Sequence, residues 1–243
     1  MLKHSAISLF DTLAKQTRVI SIDGKKLVEK HYHGEPGVIK WYIIVPSSYA
    51  LGVYPFKLKP MDRLESEVAF MRSTDACFFK PELVLVDYVG LRLIREYVNG
   101  HVYGFNAPPE THFKVAEEIG KCHELGWALG DTKTTNFVYS EKGIYIVDAE
   151  QSIRSAKLEH YAWDLLVYFS TLSIEGYIKA LYFEKTREEV FGAAIKGYLR
   201  GNSSHGVKVI ERLTSHPLRY LLYLLIPFPL NYMLHKKLEE FTT

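Results

Sequence analysis

The amino-acid sequence predicts an α+β chain in two lobes, a strand-rich lobe over residues 1–98 and a mostly helical lobe over residues 99–243. Three observations carry this. The first half alternates short β-branched runs with turn signals. The second half repeats apolar residues at helical spacing. A segment rich in Gly, Asn and Pro, from Asn99 to Pro109, lies between them.

The elements follow in order. Arg18 to Ile22 and Lys26 to Tyr32 flank Asp23-Gly24, a pair that favours a two-residue hairpin turn. Two more apolar runs, Val38 to Val45 and Ala50 to Phe56, read as a second strand pair around Pro46-Ser47-Ser48. Met61 opens a helix to about Arg72, with Leu64, Val68 and Met71 on one face. Leu83 to Tyr88 and Leu91 to Tyr97 read as strands. After the linker, helices are predicted over Glu110 to Leu125, Tyr161 to Glu175, Arg187 to Leu199 and Val207 to Ser215. One short hairpin interrupts them: Phe137 to Tyr139 and Ile144 to Val147, turning at Glu141-Lys142-Gly143.

Composition narrows the class. The chain has 243 residues, enough for two small lobes with cores of their own. It is 47% hydrophobic and 24% charged, ordinary for a folded domain. A net charge of +2 is too mild to point to nucleic acid, so none is expected as a direct partner. The two cysteines, Cys77 and Cys122, have no metal-ligand spacing around them and read as buried thiols in a reducing compartment. Met1 to Leu13 lacks the apolar run of a signal peptide, and no apolar run reaches the roughly 18 residues of a spanning helix. The expectation is a cytoplasmic protein. The apolar segment Leu218 to Leu234, broken by Pro227 and Pro229, reads as a C-terminal helix packed on the core. A peripheral membrane contact through residues 218–237 is the alternative.

The chemistry concentrates in Leu129-Gly-Asp-Thr-Lys-Thr-Thr-Asn136 and in Asp148 at the end of the hairpin. A polar loop after a helix holds Asp131, Lys133 and Asn136, and the hairpin returns Asp148 beside it. Phosphoryl transfer needs such a set. An aspartate orients the attacking hydroxyl and takes its proton. An asparagine and a second aspartate offer hard oxygens to Mg²⁺, and a lysine neutralises charge on the moving group.

Asp-x-Lys-x-x-Asn followed by a hairpin and Asp resembles the catalytic loop and metal-binding aspartate of the protein-kinase-like superfamily. The resemblance covers about Val19 to Leu172 and implies a two-lobed kinase-like fold. It implies Asp131 as catalytic base, Lys133 as the catalytic-loop lysine, Asn136 and Asp148 as metal ligands, and ATP with Mg²⁺ as cofactors. Val28-Glu-Lys-His-Tyr32 resembles the strand that carries the phosphate-holding lysine, which implies Lys30, paired with Glu67 on the helix. Lys40, Lys57 and Lys59 compete with Lys30 for that role, and Glu65 lies on another face of the helix. Leu93 to Gly100 resembles the hinge, where main-chain groups of Glu96, Tyr97 and Val98 meet adenine. Asp164, on an apolar helix, reads as a support for the catalytic-loop backbone, with a partly exposed helix aspartate as the alternative. His123 reads as a packed histidine near the loop.

The sequence departs from the common pattern. Leu129-Gly130 stands where His-Arg usually precedes the aspartate, and Ala149-Glu150 follows Asp148. No glycine-rich loop precedes the hairpin, so any phosphate-covering turn lies near Lys15 to Thr17. These features are similar to those of atypical kinases: the lipopolysaccharide core heptose kinases, the RIO family, and the small archaeal kinases of tRNA-modification complexes. The segment Ser152 to His160 is too short for an activation loop, which implies constitutive activity or regulation by partners. The hydroxyl acceptor stays open. An atypical Ser/Thr protein kinase, a sugar or lipid-head-group kinase at a membrane surface, and a pseudokinase that binds partners without catalysis are the readings.

Overall fold

The structure is a computed structural model that describes residues 16–33 and 52–242. Its N-terminal region is one antiparallel sheet and a helix. Strands β1 (Thr17–Ile22), β2 (Lys25–His31), β3 (Leu83–Asp87) and β4 (Arg92–Glu96) lie in the order β1-β2-β4-β3, and helix α1 (Pro60–Arg72) precedes β3. The β1–β2 hairpin closes with Asp23 at φ 50° and Gly24 at φ 76°, the left-handed pair that a two-residue turn requires. Side chains alternate along β2, so Val28 and Lys30 point inward, and Tyr32 continues that face beyond the strand.

The C-terminal region is helical around two small sheets. Its elements are β5 (His101–Val102), α2 (Pro109–Glu124), β6 (Trp127–Ala128), a 3-10 turn (Thr134–Asn136), β7 (Phe137–Ser140), β8 (Gly143–Ile146) and β9 (Ile153–Arg154). Helices α3 (Leu158–Glu175), α4 (Tyr177–Tyr182), α5 (Glu184–Arg187), a π-helical turn (Glu188–Gly192), α6 (Ala193–Gly201), α7 (Gly206–Leu213), α8 (Leu218–Leu225) and α9 (Leu230–Glu239) complete it. The hairpin β7–β8 carries β5 on its free edge, and β6 pairs with β9.

Several expectations need correction. The strand expected over Ala50 to Phe56 is not one in its described part. Residues 53–58 form no strand, and Val53, Tyr54 and Phe56 are buried. They strap across the helical region instead. Tyr54 Oη donates to Gln151 O at 2.7 Å, and Phe56 meets Trp163 edge-on with ring centroids 5.4 Å apart. Burial of aromatic area outweighs the strand preference there. The pair expected at Val38 to Val45 falls outside the described residues, as does Lys40. Cys77 and Cys122, expected as separate thiols, form a disulfide with Cα atoms 5.2 Å apart. The helix expected over Arg187 to Leu199 is interrupted by the π turn. The segment expected as one C-terminal helix is two, α8 and α9, parted at Pro227 to Pro229. Their inner faces bury Leu218, Leu221, Leu222, Leu230, Leu234 and Leu238. Tyr220, Leu224, Phe228 and Tyr232 remain exposed. No helix among the described residues is long and apolar enough to cross a membrane.

Close packing of α2 on α6 sets the floor of the helical region. A Cβ on Gly201 would lie 2.0 Å from the Glu117 carbonyl oxygen, and one on Gly197 would lie 2.1 Å from that of Phe113. Main chain meets main chain, so neither neighbour can give way. Gly to Ala within a helix ordinarily stabilises by about 1 kcal/mol. At Gly201 the clash reverses the sign, and Gly201→Ala is expected to destabilise by about 1–3 kcal/mol in urea or guanidinium unfolding. A gain in stability would contradict this packing.

Candidate active site

The two regions meet at a buried ammonium. Lys30 Nζ on β2 lies 2.7 Å from Glu67 Oε2 on α1, 2.9 Å from Asp148 Oδ1 after β8, and 3.0 Å from Glu150 Oε2. Tyr32 Oη also donates to Glu67 Oε2, at 2.5 Å. Lys30 is 2% exposed and Glu67 is fully buried. Burial alone would lower the Lys30 pKa, but Asp148, Glu67 and Glu150 together push it well above its ordinary value. Burial raises Glu67, with Lys30 opposing. For Asp148, burial favours the neutral acid, yet the Lys30 and Lys133 ammoniums outweigh it and hold the carboxyl below the usual range.

Helix periodicity explains how α1 reaches this point. Arg63 and Glu67 stand four residues apart, one turn along the same face. Arg63 Nη2 lies 2.7 and 2.8 Å from the two Glu150 oxygens, so one buried guanidinium nitrogen bridges the carboxylate. From β4, Arg95 Nη2 donates to Val147 O at 2.9 Å, one residue before Asp148. Burial lowers the Arg95 pKa, while Glu67 and Asp148 favour its charge. Sequence reasoning missed Arg63, Arg95 and Glu150. The signal for Arg63 was its helical spacing from Glu67, and the signal for Glu150 was its place two residues after Asp148.

The loop from Leu129 to Asn136 is fixed from below. Asp164 on α3 accepts the Leu129 N–H at Oδ2 and the Gly130 N–H at Oδ1, both at 2.6 Å. Thr132 Oγ1 donates to Asp164 O at 2.5 Å, and Trp163 Nε1 donates to Gly130 O at 2.9 Å. His123 Nε2 reaches Asp164 Oδ2 at 3.0 Å, and its Nδ1 reaches Tyr198 Oη at 2.8 Å. Asp164 is fully buried, so the partly exposed alternative does not hold. Gly130 has φ 76°, and a Cβ there would fall 2.6 Å from the Tyr54 ring, so the strap and the loop require glycine.

Above this floor Lys133 Nζ lies 2.6 Å from Asp131 Oδ2. Asn136 Nδ2 donates to Asp131 O at 2.7 Å, and Val147 N–H donates to Asn136 O at 2.9 Å. The main chain therefore ties Asn136 to the residue preceding Asp148. Burial raises the Asp131 carboxyl, with Lys133 opposing. Burial would lower Lys133, but Asp131 and Asp148 raise it.

Hard oxygens suited to a divalent cation are present. Glu67, Asp148 and Glu150 bring carboxylate oxygens within 4.8 Å of one another. Lys30 already neutralises the space between them, so the inner group does not suit a cation. Asp148 is the open member, its side chain 24% exposed, against 0% for Glu67 and 6% for Glu150. Asn136 turns its amide nitrogen to Asp131, which leaves its amide oxygen the donor for a metal. Asp148 with Asn136 fits Mg²⁺ better than the inner carboxylates do.

Glu96, Tyr97 and Val98 line a cleft of about 710 Å³ with Gly100, His101 and Tyr139. Lys30 and Asp148 are not among its lining, and Arg95 links the two places through Val147 and a 3.3 Å bond to Glu96 O. The two competing lysines among the described residues, Lys57 and Lys59, lie elsewhere. Lys57 pairs its main chain with the Gln151 amide, and Lys59 is exposed ahead of α1.

No family model matches the chain. It is 28% identical over 148 residues to the KEOPS complex subunit Bud32 of Pyrococcus abyssi, covering 57% of this chain and 64% of that protein. It is 24% identical over 189 residues to a probable bifunctional tRNA threonylcarbamoyladenosine biosynthesis protein of Methanobrevibacter smithii, covering 77% of this chain and 33% of that one. A protein of the same description from Methanosarcina barkeri is 28% identical over 120 residues, 48% of this chain and 20% of that protein. The chain thus spans less than two thirds of each of these relatives. Among solved structures, WaaP in complex with acyl carrier protein aligns over 94% of this chain and 86% of its own, with a TM-score of 0.44 and 11% identity. The Rio2 kinase–ADP/Mg²⁺–phosphoaspartate complex from Chaetomium thermophilum aligns over 98% and 76%, with a TM-score of 0.42 and 12% identity. In sequence the chain is similar to Bud32 and to the tRNA threonylcarbamoyladenosine biosynthesis proteins, at 24–28% identity.

Asp164→Ala leaves two buried main-chain N–H groups and a buried histidine without their acceptor. Leaving each buried group unsatisfied costs about 1–3 kcal/mol, so a loss of about 3 kcal/mol or more in chemical unfolding is expected. A change below about 0.5 kcal/mol, typical of surface substitutions, would show that Asp164 does not hold the loop.

Proposed function

We propose that the chain is an ATP-dependent phosphotransferase that moves the γ-phosphate to a hydroxyl acceptor. The observation that carries this reading is the convergence of Lys30, Glu67 and Asp148, the lysine reaching an aspartate 118 residues away in sequence at 2.9 Å. A loop holding Asp131, Lys133 and Asn136 stands beside it.

The roles follow from charge and reach. Lys30 stays charged under its carboxylates and offers its ammonium to the α- and β-phosphates, while Glu67 fixes its direction. Asp131 orients the acceptor hydroxyl and takes its proton. Burial raises its affinity for that proton, which suits a general base. Lys133 neutralises charge on the transferring group. Asp148 and Asn136 would hold Mg²⁺, which supplies charge neutralisation between the phosphates. Main-chain groups of Glu96, Tyr97 and Val98, in the cleft beside β7, are the proposed seat of adenine.

A protein Ser/Thr hydroxyl is the first acceptor, which makes the chain an atypical Ser/Thr protein kinase. A second reading comes from the relatives named as probable bifunctional tRNA threonylcarbamoyladenosine biosynthesis proteins, and there the chain would serve tRNA modification and label neither protein nor lipid. A sugar or lipid head group is the third, favoured by the exposed Tyr220 and Leu224 on α8, Phe228 in the connector and Tyr232 on α9. Incubation with γ-labelled ATP and Mg²⁺ separates these by where the label goes: protein, free phosphate or lipid-linked sugar.

Asp131→Asn is expected to lower turnover by about 10²–10⁴-fold while ATP still binds. In the wild type, turnover should fall on the acid side at a pH above the ordinary aspartate range, because protonation removes the base and its pKa is raised. Full turnover by Asp131→Asn would remove the catalytic assignment. ATP binding without turnover in the wild type would make the chain a pseudokinase.

A further inference from the structure

We infer that Glu150 is a positioning residue that clamps α1 to the chain after Asp148, so that the phosphate-holding lysine is aligned without any activating modification. The inference rests on the proposed phosphotransferase reading and concerns how its site is held together.

The geometry is specific. Glu150 touches two partners at once, Lys30 at 3.0 Å and Arg63 at 2.7 and 2.8 Å. Arg63 shares its helix face with Glu67, the direct partner of Lys30. A closed ring of charges results: Lys30 to Glu67, one turn of α1 to Arg63, Arg63 to Glu150, and Glu150 back to Lys30. Its own N–H donates to Asp148 Oδ1 at 3.3 Å, which closes the ring onto the metal-binding carboxylate. A charge-assisted, multiply bonded pair in a buried place fixes orientation as well as position.

The chain around Glu150 has no slack. Gln151 exchanges bonds with Lys57 in both directions, and Ser152 Oγ donates to Ser66 O on α1 at 3.2 Å. Ile153 and Arg154 pair as β9 with Trp127 and Ala128, and Ser155 N–H donates to Gly126 O. Between Asp148 and the start of α3 at Leu158, no described stretch is free to fold away and withdraw α1. Where this segment is so short and so tied, one carboxylate does permanently what a longer segment would do on command.

Electrostatics make the prediction sharp. A carboxylate this close to Lys30 repels phosphate, so a passive Glu150 would weaken ATP binding and nothing more. Removing it would then lower KM and leave kcat unchanged. A positioning Glu150 predicts the opposite. Glu150→Gln and Arg63→Gln should each lower kcat at least tenfold, with melting temperatures showing a folded protein. The double variant should fall no further than the singles, because both break one ring. Arg63→Lys keeps the charge on a shorter side chain without the planar guanidinium and should lie between. Amide hydrogen exchange over residues 60–72 should speed up in Glu150→Gln, a readout that needs no turnover. Unchanged kcat with lower KM, multiplicative losses in the double variant, or unchanged exchange in α1 would each overturn the inference. A wild type that turns over no ATP would overturn the phosphotransferase reading instead, and the exchange measurement would still decide the clamp.

Discussion

A lysine ammonium cannot be left bare in a protein interior, and an isolated buried charge of either sign is worse than any pairing. Lys30 resolves this by standing among three carboxylates, Glu67, Asp148 and Glu150. Three carboxylates around one ammonium would themselves be over-charged. Arg63 and Arg95 bring the count to three cations against three anions. The six groups come from β2, α1, β4 and the chain after β8. The sheet, the helix and the end of the β7–β8 hairpin can therefore take up only one mutual arrangement without stranding a charge. Removing one partner of such a buried set typically costs about 3–5 kcal/mol, whereas an exposed pair such as Lys114–Glu110 is screened by water and fixes nothing. The arrangement of the two regions hangs on the buried set.

The helical region supplies the second fixed reference. Asp164 spends both oxygens on the backbone of Leu129 and Gly130, and His123 and Trp163 complete the floor. That floor is positioned by α2 and α6, which touch through glycines, and by Tyr54 of the strap, which covers Gly130. Asp131 is thus tied to helices, while Asp148 is tied to the sheet and α1. The bond from Val147 N–H to Asn136 O joins the two references and sets the Leu129–Asn136 loop beside the ammonium.

The sequence made some of this legible. Val28-Glu-Lys-His-Tyr32 resembles the strand that carries a phosphate-holding lysine, and that resemblance picked out Lys30 ahead of Lys40, Lys57 and Lys59. Helix spacing put Glu67 on the inner face of α1, and the two side chains meet. The loop and its hairpin were readable because turn residues and apolar runs mark them locally. Arg95 was not readable, and the signals for Arg63 and Glu150 were weak, because charged residues default to solvent and only tertiary pairing makes their burial tolerable. The 53–58 strap looked like a strand because its Val, Tyr and Phe favour both strands and aromatic packing. Only long-range contact with Trp163 and Gln151 decides between them. The cysteines lie 45 residues apart in sequence, and no local pattern announces their bond.

On the proposed function, the ring of charges around Lys30 would receive the phosphates of ATP, with Mg²⁺ held at Asp148. Calorimetric titration of the wild type and of Asp148→Asn with ATP, each with and without Mg²⁺, decides this. Mg²⁺ should tighten ATP binding to the wild type by at least tenfold, and Asp148→Asn should lose that dependence while remaining folded. Wild-type binding indifferent to Mg²⁺, or an Asp148→Asn variant that keeps the full dependence, would contradict it.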